Sequence, residues 1–471
     1  METESQLQSY STVDVARRAG VHRDTLLRWL RARLIPEPSR DRHGWRSFTE
    51  TEAKAVTAFA QRITEPAQPI VVAEASSRYL ARLRAIDWDF ADAKTTYLTH
   101  GLHPYPAKFI PQIPNALIQE LSSVGDTVAD IFCGSGTTLV EALTLKRNTV
   151  GIDANPLACL ISRAKTTTIS ESEAAELYAL CERAKNSGDA LHASREGDLF
   201  SNASPFISQA WRPNADSLAF WFEPYVIEEL AESLSWCRQL RSDAEQAIAL
   251  TAFSAIVVAV SKQDSDTRYV RRDKDLSPGE VFRRFARILQ QATRAAVEFS
   301  ELVEPRFSCE VLEANILDGP SIPQVDLVVS SPPYPNAYSY HLYHMTRMLW
   351  LEMDQPRFKR EEIGSHRKYS SNSRSAASPE TFRQEFERIM NWMSRTLRKG
   401  GYACFVVGES TVKGKRIDNA ALISGASRTC GFSEVLRIDR TLQSTKKAFN
   451  PAIGKIKTEK ILILQNVGGV S

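Results

Sequence analysis

The chain has 471 residues, of which 43% are hydrophobic and 24% charged, a length and balance that build two or three domains with sizeable buried cores. Its seven cysteines (133, 159, 181, 237, 309, 404 and 430) are odd in number and include no Cys-x-x-Cys pair, so the sequence suggests neither a disulfide framework nor a zinc site, and no metal is expected. The formal charge of +3 is too small to announce a nucleic-acid binder, but residues 1–62 hold 11 Lys/Arg against 8 Asp/Glu, so the whole excess sits at the N-terminus, where a phosphate-facing module would carry it. No stretch approaches a transmembrane span and the start lacks both a basic and an apolar signal region, which predicts a cytoplasmic protein with no membrane contact.

Residues 8–62 read as a small all-α winged helix-turn-helix. Thr12 to Val21 is a short helix turning at Gly20, where positive φ is free of cost. A second helix, Arg23 to Leu34, buries Leu26, Leu27, Leu30 and Leu34, and its other face offers Arg23, Asp24, Arg28 and Arg31 to a major groove. Pro36 and Pro38 stop it, and the following turn is basic with an aromatic centre, Arg42, Trp45 and Arg46 being its candidate DNA contacts. The segment resembles the MerR-type helix-turn-helix, down to Arg46-Ser47-Phe48-Thr49-Glu50 leading into the next helix. The competing reading is a helical docking module. MerR regulators dimerise through a long following helix; here Thr64-Glu65-Pro66-Ala67-Gln68-Pro69 breaks the chain, so that route to a dimer is not implied and the oligomeric state stays open.

After a linker and connecting helix over 63–99, apolar strands alternate with helical patterns: Thr127 to Ile131, Asn148 to Ile152, Ser308 to Leu312, Asp326 to Val329, Gly401 to Val407, Glu434 to Asp439 and Lys460 to Gln465. Alternation predicts an α/β doubly wound sheet over 100–166 and 307–468, closed by a terminal hairpin because the last two strands are joined by a loop. Residues 167–306 form a helical insertion. Its polar run from Ser261 to Lys274, with Arg268 and Arg271, is either a solvated loop or a DNA-contacting target-recognition element.

Two motifs carry the chemistry. Asp130-Ile131-Phe132-Cys133-Gly134-Ser135-Gly136-Thr137-Thr138 is a strand end, a glycine turn and a helix start; the glycines let backbone pass close beneath a ligand. The second strand ends at Asp153, placed to accept two ribose hydroxyls, an arrangement NAD enzymes share. Ser331-Pro332-Pro333-Tyr334 follows the fourth strand, where paired prolines stiffen a loop whose Ser331 hydroxyl and Pro332 carbonyl can accept hydrogens from an amine, and Tyr334 can stack on a base. In this order, after these strands, the motifs resemble those of the DNA amino-methyltransferases. That resemblance implies a Rossmann-like methyltransferase fold, S-adenosylmethionine as cofactor, and cofactor contacts from Lys108, Phe109, Asp130 (near the cofactor amino group), Phe132, Gly134, Gly136, Thr138, Asp153 and Asn315, with Asp318 and Asp198 as rivals of Asn315. Ring-carbon methylation needs a Pro-Cys nucleophile, and no cysteine here follows a proline.

Serine at the first catalytic position is commoner in enzymes that make N4-methylcytosine, so the resemblance implies base flipping in double-stranded DNA and transfer to cytosine N4, in a restriction-modification or defence setting beside a nuclease. N6-adenine methylation remains open, as does a regulator that senses the cofactor without turnover. Asn336, Tyr338, Tyr340, His341, Tyr343 and His344 either line the base pocket or pack a helix into the core.

Overall fold

Seven apolar segments pair into one mixed sheet whose strand order decides where a ligand can sit. In the computed structural model of the protein, which describes residues 9–31, 35–40, 45–64, 72–196, 206–214, 216–335, 339–370, 377–442 and 458–468, these are β1 (Thr127–Asp130), β2 (Asn148–Asp153), β3 (Cys309–Glu313), β4 (Val325–Ser330), β5 (Leu397–Gly408), β6 (Phe432–Thr441) and β7 (Thr458–Asn466). They lie in the order β6-β7-β5-β4-β1-β2-β3, parallel from β5 to β3, with β7 inserted antiparallel between β5 and β6. This is the doubly wound sheet with a terminal hairpin that the sequence predicts. Each strand falls within two residues of its predicted ends, except that β5 starts at Leu397, ahead of a bulge before Tyr402 that the apolar pattern does not mark.

Strand period two sorts the core onto the sheet's two faces. Ala403, Phe405 and Val407 of β5 and Leu462 and Leu464 of β7 meet Phe382, Phe386 and Ile389 of the helix Pro379–Thr396, which begins at a Ser378 cap. Their neighbours Cys404, Val406, Ile461 and Ile463 meet Ile113 and Leu117 of the helix Gln112–Leu121. β1 and β4 lie side by side at the switch point, so a crevice opens beyond their C-terminal ends.

The insertion has its own core. The helices Glu171–Glu196, Pro224–Gln239, Asp243–Val260 and Glu280–Ser300 bury Leu177, Leu230, Trp236, Phe253 and Phe285 together, and Trp350, from the segment after the catalytic motif, is buried among them. Contrary to expectation, one helix, Asp243–Val260, is long and apolar enough to cross a membrane; here most of it is covered by protein, because it is the central helix of the insertion. The polar run folds into a hairpin of Gln263–Ser265 and Arg268–Arg271.

The N-terminal module has the helices Thr12–Arg18, Arg23–Arg31 and Glu50–Thr64 around Val15, Leu26, Trp29, Leu30 and Phe48. It also holds a three-stranded antiparallel sheet, Ser9–Ser11, Arg46–Thr49 and Ser39–Arg40, so the expected winged helix-turn-helix is not all-α; strands of two to four residues leave no period to read. Its placement corrects a second expectation. The His22 ring stacks on Tyr97 at 4.7 Å, and Thr25 Oγ donates to Asn115 Oδ1 (3.3 Å) while accepting from Gln119 Nε2 (3.0 Å). The first turn of the second helix is thus docked on the sheet domain instead of standing open to a groove.

Candidate active site

The end of β1 and the end of β2 are tied together by the glycine turn. Gly134 N–H donates to Asp153 Oδ2 (2.9 Å) and Asn155 N–H to Oδ1 (2.8 Å), which orients the carboxylate; burial pushes it up to about 6 despite those bonds. Gly136 has φ +76°, and a Cβ there would lie 3.0 Å from Ser162 Oγ and 3.1 Å from Ser162 Cα, so only glycine lets the helix Pro156–Thr166 close on the turn.

A cleft opens beyond these strand ends. Lys108, Phe109, Phe132, Gly134, Asp153, Asn315 and the four residues Ser331, Pro332, Pro333 and Tyr334 all line it, so the two motifs, nearly two hundred positions apart, share one cavity. Asn315 Oδ1 caps the turn Ile316–Asp318 by accepting from Leu317 N–H (3.1 Å), which leaves its amide nitrogen as the group it can offer a ligand. Asp318 does not reach the cleft wall, and Asp198 lies outside the described residues.

Asp130, Gly136 and Thr138 stand behind the wall instead. Asp130 is fully buried; its Oδ1 accepts from Ser330 Oγ (2.6 Å) and Phe132 N–H (3.2 Å), and its Oδ2 is buried with no partner. Burial pushes this carboxyl up to about 6. It braces β1 against β4 and does not itself line the cleft, where the sequence places it near a cofactor amino group. Thr138 Oγ donates to the Val329 carbonyl (3.2 Å) and strengthens the same join.

In the Ser331–Tyr334 loop, Ser331 Oγ–H donates to the Val406 carbonyl of β5 (2.9 Å). With its proton committed there, the hydroxyl presents lone pairs to the cleft, which is what an amine hydrogen needs. The loop is backed by a strap that sequence reasoning missed. Gly364 (φ +73°) comes so close that a Cβ would sit 2.8 Å from the Tyr334 carbonyl oxygen, and buried Glu362 accepts from Tyr340 N–H (2.6 Å) and pairs with His341 Nδ1 (2.6 Å). A single Gly and a Glu some thirty residues after the motif give no sequence signal.

Of the aromatic strip, Tyr340 lines the cleft and stacks on Tyr105 (5.7 Å), which also stacks on His344 (5.1 Å); His341 and His344 are buried, Tyr343 turns toward the hairpin, and 336–338 lie outside the described residues. Glu141, also missed, is a buried node below the glycine turn: it accepts from Tyr97 Oη (2.6 Å) and Asn115 Nδ2 (2.6 Å) and pairs with His100 Nε2 (2.7 Å). Tyr97 and Asn115 are the residues on which the N-terminal module docks.

The expected DNA contacts are scattered. Arg23 borders a second cleft between the module and the sheet domain; Arg42 and the Arg28 side chain lie outside the described residues. Trp45 is 68% exposed and Arg46 pairs with Glu37 (2.8 Å). Arg268 pairs with Asp264 (3.3 Å), and Arg271 with Asp273 (3.4 Å) while lying over the Phe220 ring. Among the described residues no group of three or more His, Cys, Asp or Glu is placed to hold a metal.

Two segments of the chain match known families. Residues 73–164, which contain Lys108, the glycine turn and Asp153, match the DNA methylase family, and residues 10–59 match the MerR HTH family of regulatory proteins. The chain thus carries a segment similar to a MerR-type module ahead of one similar to a DNA methylase domain. The methylase domain is similar to the Type II methyltransferase M.MjaII of Methanocaldococcus jannaschii, 42% identical over 85 residues (17% of this chain, 16% of that protein), and to the Type II methyltransferase M.MvaI of Kocuria varians, 26% identical over 286 residues (56% and 60%). The chain thus spans less than two thirds of either relative. TrmN from Thermus thermophilus aligns with 98% of this chain and 81% of its own at 11% identity and a TM-score of 0.29, so the architecture stands on the strand order above.

The cofactor that the motifs imply is S-adenosylmethionine, and the cleft fits it. Asp153 would offer a half-buried carboxylate to ribose hydroxyls, Asn315 a donor to a ring nitrogen, and Phe132, Ile316 and Pro332 apolar walls to a flat ring.

Proposed function

We propose that the chain transfers a methyl group from S-adenosylmethionine to the exocyclic N4 amine of cytosine in duplex DNA, as the modifying partner of a restriction or defence nuclease. The observation that carries this is Ser331, whose hydroxyl proton is held by Val406 at the mouth of the cofactor cleft. An exocyclic amine is a poor nucleophile because its lone pair is delocalised into the ring. Two acceptors, Ser331 Oγ and the Pro332 carbonyl, draw its hydrogens out of that plane and free the lone pair. The prolines, with Gly364 behind them, fix those acceptors before the base arrives, so no reorganisation accompanies reaction. Tyr334 stacks on the base rotated out of the duplex. When bound, the cofactor supplies a methyl group on a cationic sulfur. As the nitrogen–carbon bond forms and the carbon–sulfur electrons return to sulfur, the amine sheds one proton to water. A hydroxyl suffices as acceptor here because cytosine N4 needs orientation rather than full deprotonation.

The test is methyl transfer from labelled S-adenosylmethionine to mixed-sequence duplex DNA, followed by nucleoside digestion and mass analysis. N4-methylcytosine is expected. N6-methyladenine would keep the mechanism and replace the base, and no methylated nucleoside despite cofactor binding would overturn the enzymatic reading in favour of a cofactor-sensing regulator.

A further inference from the structure

The hairpin Gln263–Ser265/Arg268–Arg271 is mounted more firmly than a solvated loop needs to be. Isolated two-stranded hairpins are marginal in water, and every residue of the second strand is exposed, so its own packing does not hold it. What holds it is a set of wholly buried polar side chains reaching in from the segment after the catalytic motif. Arg347 donates to Asp266 at the hairpin turn and to the Ser254 carbonyl (2.9 Å). Gln263 donates to the Tyr343 carbonyl (3.2 Å) and accepts from Thr346 Oγ (3.1 Å). Burying an arginine and a glutamine to fix a surface hairpin is costly unless the hairpin's position matters.

The position fixed is relative to the cleft. Tyr343 ends the short helix Tyr340–Tyr343, whose first residue lines the cofactor cleft; the Tyr269 ring lies 6.1 Å from the Tyr343 ring. Beyond that contact the second strand presents two large apolar side chains to solvent, Tyr269 (40% exposed) and Val270 (56%), bracketed by Arg268, Arg271 and Arg272, the last 74% exposed. Asp264 pairs with Arg268 and Arg272, holding the guanidinium groups beside the apolar pair instead of leaving them to sweep through solvent. Asp273, the other carboxylate at this end, pairs with Arg271.

We propose that Tyr269 and Val270 form a wedge that enters duplex DNA at the target and occupies the space left by the rotated base, with Arg268, Arg271 and Arg272 seated on the flanking phosphates. This rests on the methyltransferase function proposed above. An apolar pair ringed by arginines fits a stacked, polyanionic duplex: the apolar side chains replace lost stacking and the guanidinium groups meet phosphate. The rigid mount then serves to keep wedge and acceptor loop in register, so the base displaced by one arrives at the other.

The test compares wild type with Tyr269→Ser and Val270→Ser on two duplexes, one fully paired and one with the target cytosine mispaired, where rotation is cheaper. Both side chains are exposed, so the variants are expected to fold and to bind S-adenosylmethionine like wild type, which calorimetry checks. The expected result is a loss of ten-fold or more in kcat/KM on the paired duplex that shrinks to within about two-fold on the mispaired one. Equal loss on both duplexes, or no loss on either, overturns the wedge while leaving the methyltransferase standing. If the wild-type chain methylates neither duplex, the DNA methyltransferase function falls and the wedge with it. Arg272→Ala supplies an independent check: weaker binding to all duplexes with a flatter salt dependence is expected, and an unchanged salt slope contradicts phosphate seating.

Discussion

Replacing Asp130 with asparagine should stabilise the protein at neutral pH and do so less as pH falls. The side chain is fully buried, its Oδ1 accepts two hydrogen bonds that an asparagine oxygen can also accept, and its Oδ2 has no partner. Burial lifts the carboxyl from 3.8 to about 6, so the folded state holds the proton more tightly than the unfolded chain. That preference stabilises the fold fully below the unfolded value and is lost as pH rises through about 6, leaving a buried charge at neutral pH. A tenfold gain in proton affinity is worth ~1.4 kcal/mol, so the whole effect is about 3 kcal/mol, of which about 1.4 kcal/mol is lost between pH 5 and 7.5. Asparagine does not titrate, so the stability difference between Asp130→Asn and wild type should grow by that amount over this interval. Asp153 titrates in both proteins and nearly cancels. Urea unfolding followed by circular dichroism at pH 5 and 7.5 measures it; a difference independent of pH, or one that shrinks toward neutrality, refutes a buried carboxyl that holds its proton more tightly in the folded state.

Gly364→Ala forces a Cβ onto the Tyr334 carbonyl at positive φ, which should cost about 1–3 kcal/mol and slow turnover while leaving cofactor affinity near wild type, as thermal melts and calorimetry would show. Asp153→Ala removes the carboxylate from the cofactor cleft and should weaken S-adenosylmethionine binding by about 10- to 100-fold, read by calorimetry at pH 8, with the fold retained. Glu141→Gln turns one acceptor oxygen into a donor facing Tyr97, Asn115 and His100 and should cost about 1–3 kcal/mol, seen as a lower Tm; the loss should be largest at neutral pH, where the wild-type carboxylate is charged.

The sheet is readable because most of its strands centre on short apolar runs separated by turn residues and helical period, a pattern that survives without tertiary context. The two motifs are readable because a glycine turn after a strand and a Ser-Pro-Pro-Tyr loop demand particular residues in sequence. What stays hidden depends on contacts between distant segments. Nothing adjacent to Asp130 reveals that Ser330, two hundred positions away, donates to its Oδ1. Glu362 and Gly364 matter only because the chain returns behind the catalytic loop, and the docking of His22 and Thr25 on Tyr97 and Asn115 joins surfaces each of which looks ordinary alone. In the helix Asp243–Val260 the charged cap residues Asp243 and Glu245 at its start mask the apolar length that follows.

The assignment of Ser331 as an acceptor for the target amine is best tested by single-turnover methyl transfer with Ser331→Ala on duplex DNA, alongside calorimetric binding of S-adenosylmethionine to the same protein. A rate about 10²-fold below wild type with unchanged cofactor affinity is the predicted outcome, since the hydroxyl acts on the amine and not on the cofactor. A Ser331→Ala protein that turns over at the wild-type rate would contradict it.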